Sequence, residues 1–137
     1  MSYQIFLVED HPAMCTAYVQ ILEREPELEL CGVAETAEEG LDRLRGTPCD
    51  LVLTDLSLPG MDGFALAERI RSERPDLPVV IVSAHQDAGY EARARQAGAR
   101  AYLTKDHIAR RLGPALLRVL REPADARPAP PDEAAGP

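Results

Sequence analysis

The sequence predicts an α/β fold in which a five-stranded parallel sheet lies between two layers of helices. Three observations carry that prediction. Five short apolar runs alternate with five segments of helical character along the first 121 residues, and such alternation builds a parallel sheet through right-handed crossovers. The runs Ile5-Phe6-Leu7-Val8, Leu51-Val52-Leu53 and Val79-Val80-Ile81-Val82 are continuous rather than alternating, as strands covered on both faces are. Polar residues capable of chemistry fall where these runs stop, at Glu9-Asp10, Asp55, Ser83 and Lys105, so in a parallel sheet they share one edge.

Each element has its own signal. After the first strand, Pro12 suits a first helical position, and Met14, Ala17, Tyr18, Ile21 and Leu22 repeat at helical spacing until Pro26. Leu28 to Val33 alternates, with Glu27, Glu29 and Cys31 on the other phase, which predicts a less buried strand at an edge. Thr36-Ala37-Glu38-Glu39 is a capping box opening a helix through Ala37, Leu41 and Leu44, stopped by Gly46 and Pro48. The third strand runs from Leu51 to Thr54 and meets a Pro59-Gly60 turn. Phe64, Ala67 and Ile70 line a third helix that ends before Pro75. Pro78 to Val82 is the purest β-branched run and predicts a central strand. Asp87 to Ala97 is rich in Ala and Arg but poor in large apolar residues, so its helix has the weakest apolar face. Ala101-Tyr102-Leu103 is the fifth strand, and a last helix is expected near Pro114 to Arg121.

At 137 residues the chain is one domain with room for a core. Residues 1–122 are expected to form it, and the Pro-, Ala- and acid-rich stretch 123–137 a disordered tail or linker. The formal net charge of −8 argues against direct DNA binding by this chain. The arginines 110, 111, 118 and 121 read as a solvated helix face. Cys15, Cys31 and Cys49 lack metal-ligand spacing and read as small buried thiols. Neither a signal peptide nor a membrane span is evident, so a cytoplasmic location is expected.

Ligands of open α/β sheets bind beyond the carboxyl ends of the strands, where strand order reverses. In the flavodoxin-like (βα)5 three-layer sandwich, with sheet order 2-1-3-4-5, the reversal lies between strands one and three. Those two strands end in Glu9-Asp10 and Asp55. Converging carboxylates cannot all stay ionised without help. Mg2+ held by a few carboxylates and waters is one help, and the Lys105 ammonium is another. A carboxylate nucleophile, a metal, a lysine and a hydroxyl at Ser83 are what forming an aspartyl phosphate needs.

An acidic pair after strand one, Asp55-x-x-x-Pro59-Gly60-Met61-Asp62-Gly63, Ser83 after strand four and Lys105 after strand five match in order and spacing. By these motifs the chain resembles the response-regulator receiver domain of two-component signalling, from about Tyr3 to Arg121. The resemblance implies that Asp55 is the phosphoacceptor. It implies that Glu9, Asp10, Asp55 and the backbone carbonyl of Ser57 hold Mg2+, that Lys105 bridges Asp55 or its phosphate to the acidic pair, and that Ser83 and Tyr102 form the conformational switch. Implied partners are a histidine kinase or phosphotransfer protein and a downstream protein or a missing output domain, with a homodimer possible on phosphorylation. Lys105 is commonly followed by proline in this family. Here Asp106 follows, and Tyr102-Leu103-Thr104-Lys105-Asp106 is similar to regulators carrying a LuxR-type helix-turn-helix, although a domain of that kind does not fit in 123–137.

The plainer readings assign Asp62 to a helix N-cap and His11 and His85 to the rim of the site. Two other functions compete. A pseudo-receiver would dock partners without carrying phosphate, and the intact set Glu9, Asp10, Asp55, Ser83 and Lys105 speaks against it. An aspartate-nucleophile phosphohydrolase generally needs a second acid two residues after the nucleophile, where this chain has Ser57. No enzymatic turnover of an external substrate is therefore expected.

Overall fold

The computed structural model describes residues 2–122; the expected tail at 123–137 lies outside the described residues. Strands β1 (Tyr3–Val8), β2 (Leu28–Ala34), β3 (Leu51–Asp55), β4 (Val79–Ser83) and β5 (Ala101–Thr104) alternate with α1 (Pro12–Glu23), α2 (Ala37–Leu44), α3 (Gly63–Glu73), α4 (Ala88–Gln96) and α5 (Ile108–Arg121). The five strands form one sheet in the order β2-β1-β3-β4-β5, and every pairing is parallel. This is the flavodoxin-like arrangement anticipated above.

Strand periodicity divides the core in two. Phe6, Val8, Val52 and Ile81 face Leu41 and Leu44 of α2, Phe64, Leu66 and Ile70 of α3, and Ala94 of α4. Ile5, Leu7, Leu51, Leu53, Val80 and Val82 face the other way, onto Tyr18, Ile21 and Leu22 of α1 and Leu112 and Leu116 of α5. All residues of β3 and β4 are buried, as continuous apolar runs require.

The structure modifies the expected elements at two places. Ile5 pairs with Leu30 but Phe6 pairs with Gly32, so Cys31 is an extra residue bulged from the edge strand. Gly32 fits there because a Cβ would stand 2.7 Å from the Phe6 ring. The last helix starts at Ile108 instead of near Pro114, which lies inside it and exposed. Proline removes one intrahelical hydrogen bond. Leu112, Gly113, Leu116, Leu117 and Val119 on the buried face hold the helix together across it. Helix α4 has Ala94 as its one buried residue, in keeping with its weak apolar pattern. No helix among the described residues is long and apolar enough to cross a membrane.

Candidate functional site

The C-terminal edge of the sheet gathers the polar residues into one pocket of charge. Asp55 closes β3 and is 2% exposed, and Glu9, just past β1, is fully buried. The Glu9 amide donates to Ala34 O at 2.9 Å, which extends the β1–β2 ladder by one residue. Asp10 follows with its side chain 27% exposed. Lys105, just beyond β5, reaches across to Asp55 with Nζ 3.2 Å from both Oδ2 and Oδ1. Its own amide donates to Ser83 O at 2.8 Å, which ties the lysine's backbone to the end of β4.

The electrostatics are unbalanced. Burial is the largest influence on both Asp55 and Glu9 and raises their carboxyl pKa values above the usual range. Lys105 pulls Asp55 back most strongly, while the amide of His11 does so for Glu9. Three carboxylates against one ammonium leave two formal negative charges uncompensated when all are ionised. Glu9 Oε1, Asp10 Oδ1 and Asp55 Oδ1 are buried with no hydrogen-bond partner, the last because Nζ approaches it off hydrogen-bond geometry. Buried polar atoms normally have partners. Oxygen donors orphaned in this way suit a hard divalent cation.

His11 stands on the rim, two-thirds exposed, with Nδ1 3.4 Å from Glu9 Oε2 and 3.3 Å from Asp10 Oδ1. Potential ligand atoms of Glu9, Asp10 and His11 all lie within 4.8 Å of one another. Its amide also donates to Glu9 Oε2 at 3.1 Å, fixing that carboxylate's second oxygen. Cys15 of α1 donates from Sγ to Glu9 O at 3.5 Å, which ties the first turn of the helix to the acidic pair.

The turn after β3 is built by glycine and a cap. Gly63 donates to Leu56 O at 2.8 Å, and a Cβ on Gly63 would stand 2.7 Å from Asp55 O and 2.9 Å from Leu56 Cα. Asp62 accepts from the Ala65 amide at 2.9 Å, so it is the N-cap of α3. Ser57 is exposed in the turn. The close packing of Gly63 under the Asp55 carbonyl escapes sequence reading, since the glycine of a Pro-Gly-Met-Asp-Gly run looks like turn chemistry alone.

On the opposite flank, Ser83 is buried and its Oγ accepts from the His85 amide at 3.0 Å. Tyr102 donates its hydroxyl to His85 O at 2.6 Å. The His85 ring stacks on Tyr90 of α4 with centroids 4.3 Å apart and planes 4° from parallel. Tyr90 in turn lies 6.2 Å from Phe64, over which Arg93 is placed. Ser83 and Tyr102, expected together as switch residues, are joined through one residue, His85. The arginines 110, 111, 118 and 121 are all exposed on α5.

Comparison with known proteins agrees with this geometry. Residues 5–116 match the family model of the response regulator receiver domain. The chain is 39% identical over 111 residues to protein-glutamate methylesterase/protein-glutamine glutaminase 1 of Syntrophus aciditrophicus, across 79% of this chain and 31% of that protein. It is 31% identical over 102 residues to the response regulator GacA of Pseudomonas viridiflava, across 74% of this chain and 48% of that one. The chain therefore spans less than half the length of either relative. Among solved structures, a LuxR-family two-component response regulator from Aurantimonas sp. SI85-9A1 superposes with a TM-score of 0.85 at 32% identity, covering 98% of this chain and 94% of that one.

Proposed function

The chain belongs to the response regulator receiver family of two-component signalling, and from that premise we propose that Asp55 accepts a phosphoryl group in a Mg2+-dependent reaction. One observation carries the proposal. A buried aspartate with a lysine at both its oxygens lies among buried carboxylate oxygens that have no hydrogen-bond partner in the protein.

Glu9, Asp10, Asp55 and the carbonyl of Ser57 would hold the cation. When bound, it supplies the positive charge that lets three carboxylates stay ionised and draws phosphoryl oxygens toward Asp55. An Asp55 oxygen attacks phosphorus, and the bond to the donor's leaving atom breaks as that atom takes the electron pair. Lys105 neutralises charge on the carboxylate and then on the phosphoryl group. Ser83 Oγ, now accepting from the His85 amide, turns to donate to a phosphoryl oxygen. That exchange frees His85 and with it the Tyr102 hydroxyl, which changes the surface around α4 and β5.

The donor is a histidine kinase or a phosphotransfer protein, and the site works in the cytoplasm. The receiving end is an output domain or a separate protein, since the relatives extend well beyond the region matched here. Phosphorylation would pair two copies of the chain through either the α1/α5 face or the face made by α4, β5 and α5. No external substrate is turned over: two residues beyond Asp55 stands exposed Ser57, a hydroxyl where a hydrolase would place its second acid.

The test is intact mass after incubation with acetyl phosphate or phosphoramidate and Mg2+. One added phosphoryl group, labile to base and absent from Asp55→Ala, is expected. No mass change in the wild type sinks the phosphoacceptor reading and favours a docking module.

A further inference from the structure

Tyr18 has no part in the scheme above, yet its hydroxyl is buried with no hydrogen-bond partner. The residue is 0% exposed, set between α1 and the sheet among Ile5, Leu7, Leu53 and Leu112. A leucine would fill such a site without burying an unpaired hydroxyl. The sequence pattern shows only an apolar helical position.

Three features aim the phenol at the carboxylates. First, strand parity puts Asp55 on the same face of β3 as Leu51 and Leu53, and Glu9 on the same phase as Ile5 and Leu7. That is the face α1 covers. Second, only three residues separate the end of β1 from the start of α1, so the helix N-terminus lies at the carboxyl edge of the sheet. Long helical side chains point back toward the N-terminus, which directs Tyr18 from the core up to that edge. Third, Cys15, one turn before Tyr18, is bonded to Glu9 O, which pins this part of the helix to the acidic pair. In agreement, burial raises the phenol's pKa, and the negative charges of Asp55 and Glu9 raise it further. The phenol therefore stays protonated and can only donate into an anionic site.

The needs are complementary. Tyr18 presents a buried donor without an acceptor, while Glu9 Oε1 is a buried acceptor without a donor and Asp55 Oδ1 meets only the Lys105 ammonium, off hydrogen-bond geometry. Buried waters characteristically join groups of this kind. We propose that Tyr18 is a positioning residue of the phosphoacceptor site, its hydroxyl donating from the core side to the Glu9 and Asp55 carboxylates across one enclosed water. It orients the oxygens that face the cation and the phosphoryl group, and it touches neither. The inference rests on the phosphoacceptor reading.

The test compares wild type and Tyr18→Phe in three measurements: Mg2+ affinity by calorimetry, the rate of phosphoryl uptake from acetyl phosphate, and the thermal midpoint without metal. Loss of the hydroxyl should weaken Mg2+ binding about 3- to 10-fold and slow uptake to a similar degree, the weight of roughly one ordinary hydrogen bond, without lowering the midpoint. In 3-fluorotyrosine-labelled wild type, the resonance missing from Tyr18→Phe should shift when Mg2+ is added. A Phe variant with unchanged Mg2+ affinity and uptake, or a Tyr18 resonance unmoved by Mg2+, overturns the inference alone. A wild type that takes up no phosphoryl group overturns the phosphoacceptor reading and this inference together.

Discussion

Lys105 Nζ stands 3.2 Å from Asp55 Oδ2 and 3.2 Å from Oδ1, so one ammonium spans both edges of a buried carboxylate. The lysine side chain is 31% exposed while the aspartate's is 2% exposed. The aspartate therefore depends on the lysine more than the reverse. Lys105→Met should cost about 1–3 kcal/mol at neutral pH, below the usual penalty for breaking a buried pair because the lysine is partly solvated. Adding Asp55→Asn should recover most of that loss. Chemical denaturation of the four proteins of the cycle checks it, and strictly additive effects would show that the pair is not coupled.

The raised carboxyls predict how stability depends on pH. Glu9 and Asp55 lie above their ordinary values of 4.5 and 3.8, chiefly through burial. Between the ordinary and the raised values the folded protein binds more protons than the unfolded chain. Stability without metal therefore falls as pH rises through that window. Denaturation midpoints in chelator should be higher at about pH 5 than at pH 7 as far as these two groups decide. Asp55→Asn should flatten the slope. Millimolar Mg2+ should stabilise more at pH 7 than at pH 5, since a cation bound only by the folded state adds stability by mass action. Equal stabilisation at both values would count against carboxylate ligands.

Much of this arrangement could be read from where apolar runs stop. Glu9-Asp10, Asp55, Ser83 and Lys105 each follow a strand whose β character is plain, and a parallel sheet places all such ends on one edge. Less legible was anything set by contact between elements. Pro114 resembles a helix start, but the buried face from Leu112 to Val119 carries α5 across it. The bulge at Cys31 depends on the Phe6 ring occupying the space beside Gly32. Tyr18 fits the apolar period of α1, and periodicity does not register a hydroxyl. Tyr90 belongs to the helix with the weakest pattern, so its stack on His85 had no sequence signal.

That stack predicts local behaviour. Ala94 is the one buried residue of α4, so few apolar contacts hold this helix, and the His85–Tyr90 stack, with ring centroids 4.3 Å apart, adds to the Tyr90–Phe64 contact that anchors it. His85→Ala should speed amide hydrogen exchange across residues 84–96 by roughly 5- to 10-fold, while global stability changes by less than about 1 kcal/mol. Tyr102→Phe, which removes the 2.6 Å bond to His85 O, should have a smaller effect over the same residues. Unchanged exchange in both variants would show that backbone bonds alone hold the loop.

Gly63 offers the sharpest steric test of how Asp55 is placed. A Cβ there would lie 2.7 Å from Asp55 O and 2.9 Å from Leu56 Cα, and both obstacles are backbone, with no flexible side chain to swing aside. The glycine amide also donates to Leu56 O at 2.8 Å, so the turn cannot widen without straining that bond. Gly63→Ala should therefore destabilise the protein by about 2–4 kcal/mol, in the range of severe overpacking. It should also push the end of β3 away from Lys105 and weaken Mg2+ binding even under conditions where the variant is fully folded. Denaturation together with Mg2+ titration separates the two effects. An alanine variant that loses stability but keeps wild-type Mg2+ affinity would show that the turn yields on the α3 side and leaves Asp55 where it is.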